Sequence, residues 1–332
     1  YDERQNAYPI RISVKEGTDM TSLAPIFELT PGATISPASG SVQNFTTPVR
    51  YTVTSEDKAW HRVYAITARE QKASNIPTTY HFEKVRIMQN VWQEFYEEQD
   101  SGNELTWASG NKGFKWAMSE AATEDYPTTQ IDNGKTGKCV KLETRLTGDL
   151  GNMVGMPIAA GNLFIGSFDM LNAITNPLSA TRFGTPFYNK PLRLTGYYKY
   201  KAGEQFYENG EYTSRKDIFN IYAIFYDGVK YDSAGKGTDV TLDGNLPNQN
   251  YEHSSMVALA LVSNPQETEG DEWKFFDIPF DYQRYGKKID EARLAKGEYK
   301  IGIIFASSKD GATFEGAPGS TLLIDEVELI YE

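Results

Sequence analysis

The sequence predicts an all-β protein with two domains, a small β-sandwich followed by a larger jelly roll. Short segments rich in β-branched and aromatic residues recur along the whole chain of 332 residues, as they do in β-sheet proteins. Glycine, asparagine and proline fill most connections between these segments. Only Asp290–Gly297 has the pattern of a helix, with Asp290 as its N-cap and Gly297 as its stop.

Residues 1–73 make up the first predicted domain. Four short strands with turn-rich connections and no helix predict a small β-sandwich. The segment SLAPIFELTPGATISPASG resembles the Ig-like modules near the membrane anchor of surface lipoproteins. This resemblance implies an Ig-like β-sandwich that acts as a spacer. The predicted strands are Ile10–Lys15, Pro25–Thr30, Val49–Thr54 and Arg62–Ala68.

Residues 78–332 make up the second predicted domain, a jelly-roll β-sandwich that resembles carbohydrate-binding modules. The polar segment QKASNIPTT, at residues 71–79, predicts a hinge before it. About nine strands with connections rich in glycine and asparagine indicate the jelly roll, and residues 90–113 are predicted to be irregular. The predicted strands are Thr79–Ile87, Lys138–Thr144, Leu163–Phe168, Pro191–Tyr200, Asp217–Tyr226, Ser255–Val262, Trp273–Phe280, Tyr299–Ala306 and Thr321–Glu332.

One nearly uncharged stretch, Gly151–Phe187, stands out in the second domain. Asp169 and Arg182 are its only charged residues. Asn162 and Asn172 lie in its predicted loops, and asparagine is common at tight turns. Amides also suit a sugar site, because they donate to and accept from hydroxyl groups without adding charge. The sequence leaves both interpretations open.

The composition argues against several other functions. A net charge of −12 disfavours nucleic acid and anionic membrane surfaces as partners. Three histidines and one cysteine leave little material for a zinc site or a Cys–His nucleophile. The apolar runs are all shorter than the roughly 18 residues that a membrane-spanning helix needs.

Three long segments carry a resemblance to a known family. They are PIAAGNLFIGSFDMLNAITNPLSATRFGTPF, LRLTGYYKYKAGE and FASSKDGATFEGAPGSTLLIDEVELIYE. They resemble the PCMD family, the putative carbohydrate metabolism domain of surface lipoproteins in glycan-degrading Gram-negative bacteria. The resemblance covers residues 78–332. It implies an exported outer-membrane lipoprotein, with a signal and a lipidated cysteine upstream, and an oligosaccharide or polysaccharide as partner.

Two carboxylates stand where their predicted strands are otherwise apolar. Asp325 shares one side of the last strand with apolar residues, and Glu83 shares a side with Val85 and Ile87. A buried carboxylate needs hydrogen bonds, an opposite charge or a metal ion. Many jelly-roll modules hold calcium between the first and last strands, so Glu83 and Asp325 are candidate ligands of a structural Ca²⁺ ion. Loop amides or an arginine are the alternative partners, and no other cofactor is predicted.

Exposed aromatic rings are the other expected part of a sugar site, because a ring face packs on the C–H face of a sugar. Trp107 and Trp116 stand on either side of a loop that contains Asn111, so they are either stacking rings or anchors in the core. Tyr197 and Lys199 share one side of a strand. That side is either a glycan-binding sheet face or simply solvated.

The sequence therefore favours a non-catalytic glycan-binding protein of the cell surface. The expected ligand is a neutral or weakly polar oligosaccharide, because the net charge would repel a polyanion, and Arg182 is expected to orient the sugar. One alternative is a glycoside hydrolase, with its acid and base among Asp169, Asp310 and Glu315. Another alternative is a structural or adhesive surface protein.

Overall fold

The structure, a computed structural model, confirms the all-β class, with 43% of the chain in strands and 12% in helices. The chain divides into two compact units, Tyr1–Ala73 and Ser74–Glu332. Residues 72–75 of the predicted hinge lie outside the described residues. The described residues are 1, 6–15, 17–71, 76–98 and 104–332.

The first unit contains one four-stranded sheet. Its strands are β1 (Tyr8–Lys15), β2 (Thr34–Ser36), β3 (Val49–Thr54) and β4 (His61–Gln71). They lie in the order β1-β4-β3-β2, with β1 parallel to β4 and the other pairs antiparallel. Tyr51 and Ile66 are buried in the small core of this unit.

The predicted strand Pro25–Thr30 is wrong, because this segment is irregular. The backbone N–H of Phe27 donates to the hydroxyl of Ser39 at 2.7 Å instead of pairing with a strand. The Phe27 ring packs against Tyr51, with ring centroids 4.8 Å apart. The apolar residue therefore covers the sheet from a loop, where its burial contributes to the core without strand pairing.

The second unit contains the remaining described strands and helices. Its strands are β5 (Thr79–Tyr80), β6 (Val85–Met88), β7 (Trp92–Glu98), β8 (Glu104–Thr106), β9 (Thr128–Asp132), β10 (Lys138–Glu143), β11 (Arg145–Leu146), β12 (Ile158–Ala159), β13 (Asn162–Phe164), β14 (Gly166–Phe168), β15 (Thr181–Phe183), β16 (Thr185–Phe187), β17 (Pro191–Lys201), β18 (Phe206–Glu208), β19 (Glu211–Thr213), β20 (Asn220–Asp227), β21 (Val229–Tyr231), β22 (Gly237–Asp239), β23 (Leu242–Asp243), β24 (Met256–Leu261), β25 (Lys274–Pro279), β26 (Tyr299–Ala306) and β27 (Thr321–Tyr331). Its α-helices are α1 (Asn111–Ala117), α2 (Gly148–Met153), α3 (Met170–Thr175) and α4 (Glu291–Ala295). Single 3₁₀ turns lie at Thr123–Asp125, Pro177–Ser179, Pro247–Gln249 and Gly311–Thr313.

Two antiparallel sheets face each other in this unit. The larger has the order β25-β17-β27-β10-β9, with β5 paired to β27, and the smaller has the order β13-β26-β20-β24, with β16 paired to β26. One apolar core joins them, built from side chains such as Leu194 and Ile324 on one sheet and Phe225 and Ile303 on the other. This is the two-sheet arrangement that the jelly-roll prediction requires.

Most strands predicted from Lys138 onward are confirmed to within three residues, but Leu163–Phe168 is two strands rather than one. Strand β13 pairs with β26, whereas the next strand, β14, pairs with β15. The change occurs at Gly166, with φ of 151°, where a Cβ atom would lie 2.0 Å from the carbonyl oxygen of Arg182. Only glycine allows this close approach of two backbones. The predicted strand Thr79–Ile87 is also split, into β5 and β6.

Helix α4 confirms the one predicted helix, since the Asp290 carboxylate accepts hydrogen bonds from two backbone N–H groups at its start and Gly297 follows with φ of 69°. The prediction of no other helix is wrong, as α1, α2 and α3 show, and residues 90–113 contain β7 and β8. These helices have six or seven residues, so contacts rather than propensity stabilise them. None of the described helices has the length and apolar character to cross a membrane.

Candidate functional site

Helices α1, α2 and α3 lie together, with α1 in contact with both others. Asp169 is the N-cap of α3 and accepts hydrogen bonds from the backbone N–H groups of Leu171 (3.0 Å) and Asn172 (3.2 Å). The Asn111 amide fixes the start of α1, because it donates to the carbonyl of Thr128 at 2.7 Å and accepts from the N–H of Thr128 at 3.1 Å. These polar residues position the helices around a cavity.

This cavity has a volume of about 130 Å³, and we call it the apolar cavity. Trp116, Phe168 and Ile174 contribute large apolar side chains, while glycines and alanines form much of the remaining wall. Trp116 is 38% exposed, so its ring is accessible to a ligand. A cavity of this size accommodates one small apolar group or ring.

An open cleft of about 600 Å³ adjoins the apolar cavity, and Phe168 and Met170 line both. We call it the arginine cleft. Arg182 and Lys112 line it together with Asp169. Neither cation has a hydrogen-bond or ion-pair partner among the described residues. The cleft therefore offers N–H donors that are free to bind a ligand.

A third depression, of about 670 Å³, shares Phe314 with the apolar cavity. Tyr207, Tyr212, Asn209 and Glu315 line it, and the two tyrosine rings meet edge to face at 5.2 Å. We call it the tyrosine pocket. The arginine cleft and the tyrosine pocket each share lining residues with the apolar cavity, and we call these three neighbouring sites together the groove.

The three candidate catalytic acids are distributed along and beside this groove. Both carboxylate oxygens of Asp169 accept hydrogen bonds, since the side-chain amide of Asn172 donates to the second oxygen at 3.1 Å. Asp310 forms an ion pair with Arg215. Glu315 lines the tyrosine pocket rather than the arginine cleft. The structure therefore does not gather these acids in one depression.

Several predicted sugar-binding residues serve the fold instead. Trp107 is only 1% exposed and packs against Tyr80 (ring centroids 5.2 Å apart) and Phe305 (5.9 Å), so it has no face for stacking. Asn111 is fully buried. The side-chain oxygen of Asn162 accepts from the N–H of Gly110 at 2.7 Å, and the side-chain amide of Asn172 donates to Asp169. These amides therefore make hydrogen bonds within the chain, although Asn162 also lines the apolar cavity.

Tyr197 and Lys199 lie on the outer face of the larger sheet, and neither lines the groove. The Tyr197 ring is 5.1 Å from that of Phe275 on the neighbouring strand β25. Lys199 forms an ion pair with Asp271. Both residues are half-buried and Lys199 is already paired, so they stand apart from the groove, and their role in glycan binding stays a prediction.

Asp325 is fully buried, as predicted, and backbone groups satisfy it. Its carboxylate accepts from the N–H groups of Thr136 (3.0 Å) and Glu326 (2.8 Å). Burial raises the pKa of Asp325 to about 6, although these hydrogen bonds act in the opposite direction. The prediction that Glu83 is buried is wrong, because it is exposed and accepts from the N–H of Lys138 at 2.8 Å.

The two candidate calcium ligands, Glu83 and Asp325, both accept hydrogen bonds from the chain itself. The described residues contain no group of three or more His, Cys, Asp or Glu side chains that could hold a metal ion. Calcium requires six to eight oxygen ligands, whereas Asp325 and Glu83 bind backbone N–H groups on the turn between β9 and β10. Calcium binding stays a prediction, and the loop-amide alternative accounts for Asp325.

Sequence reasoning missed several groove residues. Tyr207 and Tyr212 flank an Asn-Gly turn, the strongest short signal for a hairpin, and this hairpin is β18–β19. That signal could have placed the two rings on one loop. Lys112 and Phe314 carried no comparable signal, because their positions depend on contacts between distant segments.

Comparisons with known proteins agree with this structure. Residues 81–330 match the family described as "Putative carbohydrate metabolism domain", PCMD, and the chain therefore belongs to this family, as the sequence resemblance predicted. Residues 3–68 match a second family, described as "SGBP, N-terminal". The chain is thus a carbohydrate-related protein.

Two crystal structures are similar along most of the chain. One, from Bacteroides thetaiotaomicron VPI-5482, is described as a putative glycoside hydrolase. It is 46% identical, with a TM-score of 0.70, and the match covers 98% of this chain and 91% of that chain. The other, from Bacteroides vulgatus ATCC 8482, has the same description. It is 50% identical, with a TM-score of 0.72, and the match covers 78% of this chain and 100% of that chain. No curated protein matches the chain.

Proposed function

We propose that this chain is a non-catalytic glycan-binding protein of the cell surface and that the groove is its binding site. One observation carries the proposal, which is that the three sites of the groove are neighbours. Phe168 lines both the arginine cleft and the apolar cavity, and Phe314 lines both that cavity and the tyrosine pocket. Neighbouring sites that offer rings for C–H faces and polar groups for hydroxyls suit a chain of sugar units.

The state of the candidate acids supports binding rather than hydrolysis. A glycosidase needs two carboxyl groups about 5 to 10 Å apart across the scissile bond. Asp169 is occupied as a helix cap, Asp310 is paired with Arg215, and Glu315 lines a different depression. Among the described residues, no two of these acids line the same depression.

The first unit supports a surface location. Its match to the N-terminal domain of SGBP proteins, which are surface glycan-binding proteins, suggests that residues 1–73 serve as an Ig-like spacer for the glycan-binding domain at 78–332. In this proposal the protein is exported and held at the outer membrane as a lipoprotein, through a lipid anchor upstream of Tyr1. Labelling of intact cells with an antibody against the chain tests the location.

A glycan array tests the binding proposal, followed by titration of the best ligand with Trp116→Ala. We expect binding to weaken by about tenfold or more, which is roughly 1.4 kcal/mol, because the ring lines the groove. Trp60→Ala is the matched control, since Trp60 is 75% exposed but belongs to the first unit. If Trp60→Ala loses binding and Trp116→Ala keeps it, the site lies outside the groove.

A glycoside hydrolase is the second candidate, because the two similar crystal structures are described as putative glycoside hydrolases. The same glycans are therefore assayed for the release of reducing ends. Release that stops in Asp169→Asn or Glu315→Gln would replace the binding proposal with the hydrolase. Unchanged polysaccharide after long incubation would support binding alone.

A further inference from the structure

The arginines of the second unit divide into two groups. The seven at positions 86, 145, 182, 193, 215, 284 and 293 all lie within the described residues. Six of them form ion pairs with Asp or Glu side chains. Arg182 alone among these described arginines has no such partner. A guanidinium is usually matched to a carboxylate or a phosphate, so this exception points to a partner from outside the chain.

Arg182 forms no ion pair with the carboxylates around it. Asp243 lies opposite it on the neighbouring strand. However, the Asp243 carboxylate accepts instead from the hydroxyl of Ser179 (2.9 Å) and the N–H of Asn245 (3.0 Å). Asp169, the other carboxylate of the cleft, is satisfied by the N-terminus of α3. The helix amides therefore offset the charge of Asp169, as expected at an N-cap.

A second cation adds to this local charge. Lys112 lines the same cleft and also has no partner among the described residues. Two free cations thus stand beside one capped carboxylate in an open cleft of about 600 Å³. Asp243 adds one negative charge opposite Arg182 without lining the cleft. The wider net charge of −12 matters little here, because exposed charges more than about 8 Å away are largely screened at physiological ionic strength.

We propose that the arginine cleft binds an anionic substituent of the glycan, either the carboxylate of a uronic acid or a sulfate ester. This inference rests on the proposed function, and it replaces the neutral sugar expected from the sequence. Arg182 donates two parallel N–H groups to the oxygens of the anion, which is the geometry that a guanidinium favours. Lys112 supplies a second positive charge to the same group, and the neutral remainder of the glycan lies along the apolar cavity and the tyrosine pocket.

The first experiment presents the whole protein with an array of neutral, uronate-containing and sulfated glycans. Pairs of glycans that differ only in the anionic group show which anion the protein binds. Polygalacturonate is compared with its methyl ester, and a sulfated galactan is compared with its desulfated form. We expect the bound glycans to be anionic and the neutral member of a bound pair to bind at least about tenfold more weakly. The pair that shows the difference distinguishes carboxylate from sulfate.

Variants of the protein then test whether the anion binds in the arginine cleft. Arg182→Ala and Lys112→Ala should each weaken binding by about tenfold or more, the loss of one charge-assisted contact. Arg182→Lys should retain part of the affinity. Lys296→Ala removes an exposed lysine outside the groove and should bind as the parent does. All four variants should keep the melting temperature, and binding by the parent should weaken as sodium chloride is raised from 20 to 500 mM.

The outcomes separate this inference from the proposed function. If neutral glycans bind as well as their anionic partners, or if Arg182→Ala and Lys112→Ala bind as the parent does, the anionic site is wrong and glycan binding remains. If no glycan of any class binds, the proposed function itself fails. If binding is anionic but Lys296→Ala weakens it equally, the attraction is a general charge effect and the cleft is not its site.

Discussion

Trp107 and Trp116 stand on the two sides of one short loop, yet they belong to different regions of the molecule. Trp107 is 1% exposed and packs in the sandwich core, whereas Trp116 is 38% exposed and lines the groove. Helix α1 separates them, because it begins after Trp107 and carries Trp116 on its last turn. Trp107 therefore stabilises the fold, whereas Trp116, close to it in the sequence, is available to a ligand.

The difference lies in how each region uses its polar groups. On the larger sheet, the buried carboxylate of Asp325 is matched by backbone N–H groups of the chain itself. In the groove, Arg182 and Lys112 have no partner among the described residues. A buried carboxylate without a partner is costly, so Asp325 has to be satisfied within the chain. A groove open to solvent can leave donors for a ligand.

Trp107→Ala should have the largest effect. We expect it to lower the free energy of unfolding by about 3 to 5 kcal/mol, because it removes a large ring from a packed core. Trp107→Phe should cost less, since the indole N–H has no hydrogen-bond partner in the described residues. Chemical denaturation measures both. Trp116→Ala should lie within about 1 kcal/mol of the parent, since its ring is partly exposed.

One result would reverse this comparison of the two tryptophans. If Trp107→Ala melts as the parent does and loses glycan binding, Trp107 is the stacking ring. If Trp116→Ala unfolds instead, α1 belongs to the core rather than to the wall of the groove.

Asp325 should produce a smaller, pH-dependent effect. Its pKa is raised to about 6 in the folded protein, so the folded state holds the proton more tightly than the unfolded state does. The raised pKa of Asp325 therefore contributes roughly 3 kcal/mol to the free energy of unfolding. This contribution is complete below about pH 4 and is lost as pH rises through 6. Asp325→Asn cannot titrate. Between pH 4 and pH 7.5, the free energy of unfolding of the parent should fall by up to about this amount relative to that of the variant.

Denaturation of both proteins at several pH values measures this difference. A constant difference between parent and variant would show that Asp325 titrates normally. A melting temperature that falls in excess EDTA for the parent, and does not change for Asp325→Asn, would support the predicted calcium ion.

Much of the core could be predicted from the sequence, because its strands are long and apolar on at least one side. The strands β17, β20, β26 and β27 were predicted for this reason. Helices α1 to α3 were not predicted, since they are short, α1 and α2 contain glycine, and their stability depends on contacts with one another. The break at Gly166 was missed because a buried apolar run gives no sign of a change of sheet.

The candidate site was only partly predictable. Trp116 and Arg182, two of the predicted ligand-binding residues, line the groove, and their contact with a glycan stays a prediction. Asn162 also lines the apolar cavity, but the side chains of Asn111, Asn162 and Asn172 all make hydrogen bonds within the chain. The sequence does not separate these roles, because an amide has the same hydrogen-bonding groups whether it holds a helix or a sugar. The expectation of a neutral ligand came from the net charge, which does not show that Arg182 lacks a carboxylate partner.

Cleavage between the two units should have the smallest effect on stability. Each unit has its own apolar core, one that includes Tyr51 and Ile66 and one that includes Leu194 and Phe225, and no residue belongs to both. The polar composition of residues 71–79 predicts that a protease cuts there. Mass spectrometry should then show a stable fragment that begins near Thr78. Because its core is complete, the fragment should melt within a few degrees of the corresponding transition in the intact chain. A fragment that melts far lower, or is digested further, would show that the core around Trp107 depends on the first unit.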